Sequence, residues 1–427
     1  MNFSGLSTDQ APPISVPLRF FLTAPLFGIL AGILMLMSDT TSLISRYSID
    51  SIVITHTITI GFFSFVMFGA LTQMLPVLAG AKIYKVKRVT EIAHILITFG
   101  LIMMVIGLFE NSTLYTTFAF ISLGSGFLMM ITFILLAIKG IENITATVRA
   151  MATSMFFAFI IVIMGMFLLY AYITNLHSEF HFIVANVHSV MAIFGFAGIL
   201  IIGVSFQVLP MFYVAPHFKN FCKSYVVYLI SFGLILWLVL NLFVEKYALI
   251  GKFVIALFFL AFATTVWKKL NDRKRPISDV TIWYWRTSSI FLALGTFVWI
   301  FDEFFKDEYI VMVAILIGGG FIFSILIGML YKIIPFLVWF HLNAKGYMSI
   351  PTITQMIDKR LAKVQFGFFI FALIGFLFSF YSAYFFELSV VSFIISMIVL
   401  EYNIFTPVRL YIRTLKTKPD FDMSAFQ

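Results

Sequence analysis

From residue 17 to residue 412 the chain is a succession of apolar stretches, each about 20 residues or longer, separated by short polar segments. Twenty helical residues rise about 30 Å, the thickness of a bilayer's hydrocarbon layer, so each stretch reads as a transmembrane helix. The expected spans are 17–38, 52–79, 90–109, 113–139, 148–174, 180–214, 222–244, 247–268, 282–302, 308–340, 362–384 and 386–412. With 62% hydrophobic and 11% charged residues, the chain has too much apolar surface to hide in a water-soluble core. A secretory signal would occur once, near the start, with a small-residue cleavage site, and none is evident. The single cysteine, Cys222, excludes an internal disulfide and any multi-cysteine metal or iron–sulfur centre.

The net charge of +9 is topological in origin, because the basic residues fall in alternate loops. Lys82, Lys85, Lys87 and Arg88 follow the second span; Lys268, Lys269, Arg273, Lys274 and Arg275 follow the eighth; Lys345, Lys359, Arg360 and Lys363 lie between the tenth and eleventh. Of the 28 basic residues, only Arg46, Lys246, Lys252 and Lys306 belong to the other side. The excess of lysine and arginine on cytoplasmic loops then puts both termini in the cytoplasm, in a multi-pass protein of the inner cell membrane. The lipid bilayer is the expected partner, and nucleic acid is not.

One pattern returns every four spans. The second has Gly61, Gly69, Gln73 and Pro76; the sixth has Gly195, Gly203, Gln207 and Pro210; the tenth has Gly320, Gly328, Lys332 and Pro335. All three obey G-x7-G-x3-(Q/K)-x2-P, which predicts a threefold repeat of four-helix units over about 17–139, 148–268 and 282–412, within one membrane domain. Small residues permit close helix approach and a proline kinks a helix end, so glycines and prolines need no ligand to explain them. Gln73, Gln207 and Lys332 are costly in lipid and are expected to face the bundle interior and pin helix ends. The run Gly318–Gly320 lies inside a span and is helix packing.

Among seven histidines, His56 and His188 stand out. Each sits near the outer end of a motif helix, ahead of the paired glycines, where a dry imidazole must be satisfied by a hydrogen bond or a metal. His177, His181 and His188 add a stripe, since offsets of 4 and 11 residues place them within about 40° of one face at 100° per residue. His177 and His181 are close enough to share a copper or zinc ion near the outer surface, although wet histidines at the headgroup level are the simpler reading. His94, His217 and His341 read as packing or interface residues. Glu401, a carboxylate well inside a span, is either a structural hydrogen-bonding group or part of a proton path. Asp302, Glu303, Asp307 and Glu308 are expected to form a solvated acidic rim.

Twelve helices, the fourfold-spaced motif and a histidine near the outer end of the second span together resemble subunit I of the haem–copper oxidases. The closer likeness is to NnrS-type relatives, membrane haem–copper proteins associated with nitric-oxide response. It is carried by "HTITIGFFSFVMFGALTQMLP" at 56–76, "RFFLTAPLF" at 19–27, "GVSFQVLPMF" at 203–212 and "GMLYKIIPFLVWFHL" at 328–342. The resemblance implies an all-α, oxidase-like fold in which His56 is an axial haem ligand and His188 a ligand to copper or a second haem. It stops there. The seventh span has no histidine pair, the tenth offers only Tyr309 and Met312 where a histidine-x-histidine is needed, and no arginine stands near the outer ends of the last two. A full oxygen-reducing centre is therefore excluded.

The leading expectation is a haem- or haem/copper-binding redox or gas-responsive protein of the respiratory or nitric-oxide-response kind, with a redox partner or a second copy of itself. A metal-ion or small-solute permease is the alternative, with Glu401, Gln73, Gln207 and Lys332 lining a path; a cofactor-free accessory subunit is the third. No nucleophile motif, phosphate loop, zinc-protease motif or dinucleotide fingerprint assigns a catalytic residue.

Overall fold

A computed structural model describes residues 11–176, 179–274, 278–305 and 308–421, and within them the chain is helical with no strand. Arg275, Lys306 and Asp307 lie outside the described residues. Twelve long helices follow in order: α1 Ser15–Met37, α2 Ile49–Ala79, α3 Val86–Phe109, α4 Thr113–Lys139, α5 Ala146–Thr174, α6 Phe180–Tyr213, α7 Asn220–Phe243, α8 Ala248–Asn271, α9 Val280–Asp302, α10 Ile310–Asn343, α11 Lys359–Phe378 and α12 Tyr384–Thr414. All but α9 are both long and apolar enough to cross a membrane. That helix has the length, 23 residues, but Trp283, Tyr284, Trp285, Arg286, Thr287, Ser288 and Ser289 lower the hydropathy of its first half.

Local chemistry sets the ends. The side chains of Ser48, Thr145, Asp279 and Asp358 accept hydrogen bonds from backbone N–H groups in the first turns of α2, α5, α9 and α11. Helix α2 stops at Gly80, whose φ of 66° is open to glycine at no steric cost. The expected eleventh span ran to residue 384, whereas α11 ends at Phe378. There the hydroxyl of Ser379 donates to the carbonyl of Phe376 at 2.7 Å and a short polar turn leads into α12.

The three motif helices are not continuous α-helices. Each contains a segment of wider π-turns: Thr59–Ser64 in α2, Met191–Gly198 in α6 and Ala314–Phe323 in α10. The first motif glycine falls inside that segment every time, and a phenylalanine of the preceding helix lies on it. A Cβ on Gly61 would come 2.4 Å from Phe27, on Gly195 2.8 Å from Phe157, and on Gly320 2.1 Å from Phe291. Gly320→Ala forces a methyl group into that contact, and overpacking of this kind costs about 1–3 kcal/mol. The expected result is a fall in the melting temperature of the solubilised protein, with no such fall for Gly318→Ala, whose Cβ would meet nothing within 4 Å.

One interior polar network ties the last four helices together. The hydroxyls of Tyr284 on α9 and Tyr331 on α10 both donate to Gln365 Oε1 on α11, at 2.5 and 3.2 Å. Gln365 Nε2 donates to Ser396 Oγ at 2.8 Å and Asn403 Nδ2 to the Tyr331 hydroxyl at 2.9 Å, both from α12.

After α12 the tail returns to the α10–α11 connection. The Asp420 carboxylate accepts from the backbone N–H groups of Met348 and Ser349 at 2.6 and 2.7 Å, and Tyr347 donates to the Thr417 carbonyl at 2.9 Å. The N–H groups of Ser349 and Met348 hold the Asp420 carboxyl below its ordinary value. The bonds are thus at full strength above about pH 4 and weaken as pH falls through the lowered value. Hydrogen exchange should find the Met348 and Ser349 amides protected at pH 5, exposed in Asp420→Ala at that pH, and progressively exposed in wild type below about pH 4.

Candidate functional site

His56 of α2 and His188 of α6 face each other, with ring centroids 6.1 Å apart and planes inclined by 28°. Each side chain is half-buried. His56 Nδ1 is bound to the carbonyl of Ile52, one turn earlier in its own helix, at 2.7 Å. His188 Nδ1 is bound to the carbonyl of Ile161, on α5, at 3.1 Å. A carbonyl can only accept, so in both neutral rings Nδ1 carries the hydrogen and Nε2 keeps its lone pair. Neither Nε2 has a hydrogen-bond partner among the described residues.

This is the state in which imidazole binds a metal, with the distal nitrogen bare and the other anchored so that tautomer and ring orientation are fixed. Two metal–nitrogen bonds of about 2.0–2.1 Å, added to the depth of two rings, give roughly 6 Å between centroids. The observed separation suits one metal centre held between both rings. Room beside His188 comes from α5, where a Cβ on Gly165 would stand 3.2 Å from His188 Cε1. Both histidines lie three residues before the π-turn segments of their helices, at Thr59 and Met191.

Arg46, in the α1–α2 connection, borders the pair. Its guanidinium donates to Ser189 Oγ at 2.9 Å and Asn186 Oδ1 at 3.4 Å, both on α6 beside His188, and lies 5.2 Å from the Tyr47 ring centre. A fixed positive charge thus stands beside the pair. Sequence reasoning assigned Arg46 only to the outer side; the signal for more was the polar stretch Asn186–Ser189 flanking a histidine in an otherwise apolar helix.

The other predicted residues are dispersed. His181 is buried, with its ring against Tyr172 of α5 and Phe182 at centroid distances of 5.9 and 6.0 Å, and His177 lies outside the described residues. No group of three histidine, cysteine, aspartate or glutamate side chains is placed to hold a metal ion among the described residues. Tyr309 packs on Phe301 and Phe305 in the α9–α10 connection. Glu401 is half-buried on α12, and its Oε2 has no hydrogen-bond partner among the described residues. His94 is a packing residue as expected, with Nε2 3.0 Å from the Thr23 hydroxyl and its ring among Phe20 and Phe65.

Lys332 does pin a helix end: its ammonium meets the Asp279 carboxylate, the cap of α9, at 2.5 Å. Gln73 borders a cavity between α2, α6 and α10. The expected acidic rim does not form as a solvated cluster. Asp302 is buried and accepts from the Tyr309 N–H at 2.7 Å, Glu303 pairs with the buried Lys252, and Glu308 alone of the described group is exposed without such a role. The connection folds back over α9, so its first carboxylates stabilise the turn.

Twelve long helices, nearly all apolar enough to cross a bilayer, define a multi-pass membrane protein with a histidine pair bridging two of them. Compared with known proteins, the chain matches no protein-family model and no curated protein.

Proposed function

We propose that this chain is a haem- or copper-binding protein of the inner cell membrane, with both termini in the cytoplasm, in which His56 and His188 hold a single redox-active group between them. The paired rings carry the reading: two imidazoles from separate helices stand 6.1 Å apart between centroids, each with its Nε2 bare and its tautomer fixed through Nδ1. His188, expected from the resemblance to bind copper or a second haem, then becomes the second ligand to the group bound by His56. The Ile52 and Ile161 carbonyls orient the rings, Gly165 leaves space on the α5 side, and Arg46 stands ready for an anionic substituent beside them.

Haem or copper bound there would supply one-electron transfer or capture of a small gaseous ligand. The arrangement agrees with an oxidase-like scaffold of three four-helix units, a reading supported by the π-turn segments and by the phenylalanine lying on each first motif glycine. With no histidine pair on α7 and no histidine-x-histidine in the first half of α10, such a protein would be a redox or nitric-oxide-responsive relative and no oxygen reductase. The test is the absorption spectrum and metal content of wild-type protein expressed with haem and copper supplied. A Soret band or stoichiometric copper is expected, and the lack of both would sink the assignment.

A metal-ion or small-solute permease is the second reading, favoured by the cavity between the three motif helices. It predicts ion or solute flux in proteoliposomes without any bound chromophore.

A further inference from the structure

About 17 residues further along α2 from His56, roughly 25 Å at helical rise, the three motif helices line a narrow, partly open cavity of about 50 Å³. Each helix gives it one methionine: Met74 from α2, Met211 from α6 and Met329 from α10. Three of the eleven lining residues are methionine, against 21 in 427 for the chain, a concentration beyond the residue's ordinary use as a gap filler. A second cavity of similar volume adjoins it, shares Met74 and Met329 and adds Met67.

The remaining wall is apolar, and Gln73 borders it with its amide tucked away from the open space. That side chain is 5% exposed, and neither its Oε1 nor its Nε2 has a hydrogen-bond partner among the described residues. An amide left so in a dry interior costs about 1–3 kcal/mol for each unmade group, a cost that a ligand reached by a small turn of the side chain would remove. Water fits poorly, because a buried water needs two to four polar partners and this wall offers one side chain. Thioethers are soft, neutral donors that select copper(I) over zinc, magnesium or calcium. An uncharged ligand set in a low-dielectric interior also penalises a divalent ion more than a monovalent one.

We propose that this cavity is a copper(I) site, with the sulfurs of Met74, Met211 and Met329 as ligands and the Gln73 amide oxygen turned toward the ion. The site is separate from the histidine pair and does not depend on what that pair binds.

The test uses the full-length protein in detergent under reducing, oxygen-free conditions, titrated with copper(I) against a chromogenic copper(I) chelator. His56→Ala/His188→Ala should still take up one copper(I), with sulfur neighbours in its X-ray absorption spectrum. When Met74→Leu/Met211→Leu/Met329→Leu is added to that histidine-free background, affinity should fall at least tenfold against the background alone. Leucine conserves volume and each swap costs under about 1.5 kcal/mol, so the bundle is expected to fold. Should its melting point drop sharply, Met211→Leu and Gln73→Leu are measured singly, each with an expected loss of threefold or more. The proposal is overturned if the methionine variants bind like their histidine-free parent, if copper(I) uptake disappears with the histidines instead, or if wild type takes up none.

Discussion

Replacing either His56 or His188 by alanine is expected to remove the bound haem or copper almost completely, and the double variant to look no different from either single one. A centre held between two imidazoles loses half its protein ligands with each substitution. Changes to groups that merely orient a ligand already cost 10–100-fold in metal affinity, so loss of a ligand should exceed about 100-fold. Two independent sites would behave otherwise, each substitution removing one group and sparing the other. The measurement is the Soret absorbance and copper content per protein in the three variants, with circular dichroism to show the helices intact. Added imidazole should restore part of the signal in His188→Ala, because the space its ring leaves is bordered by Gly165. Gly165→Leu, pressing on the His188 ring from α5, should weaken binding with both ligands in place. Full retention in His56→Ala would refute a shared centre.

Asp279→Ala is expected to destabilise the fold by about 2–4 kcal/mol, the largest effect predicted for a residue distant from either site. Its carboxylate is the partner of Lys332, whose side chain is only 10% exposed, so its loss leaves an ammonium nearly buried beside the Tyr213 ring. Breaking a buried pair from one side costs about 3–5 kcal/mol, reduced here because the Asp279 side chain keeps 36% exposure. Asp279 also caps α9 through the N–H groups of Thr281 and Ile282, worth about 1 kcal/mol more. Asparagine can still cap, so Asp279→Asn isolates the charge, and the pair Asp279→Asn with Lys332→Met should recover to within about 1 kcal/mol of wild type. Unfolding in denaturing detergent reads all three. An Asp279→Ala variant as stable as wild type would show the ion pair to be immaterial.

The spans were legible because hydropathy over twenty residues is a strong signal, and most ends fall within a few residues of expectation. Where expectation failed, the cause was local. Aromatic residues continue the apolar pattern past Phe378 while Ser379 turns the chain, and the acidic stretch after α9 reads as solvated until Lys252, far off in sequence, is seen against Glu303. The histidine pair was half legible. Both residues could be placed near the outer ends of motif helices, but His56 stands five residues before its motif glycine and His188 seven, so register alone did not bring them face to face. The π-turn segments that intervene carry no sequence mark apart from a glycine. Gln73 was recognised as an anomaly from its chemistry; the methionines around it were not, since in an apolar chain they look like any other filler.

A widened turn also acts as a gear between the two halves of a helix. An α-helix advances about 100° per residue, so taking one residue out of Thr59–Ser64 would let the hydrogen bonds close up tidily while swinging everything upstream, His56 included, through more than a quarter circle. Insertions and deletions in these segments should consequently be tolerated far less than in the neighbouring loops, however bland the residues involved.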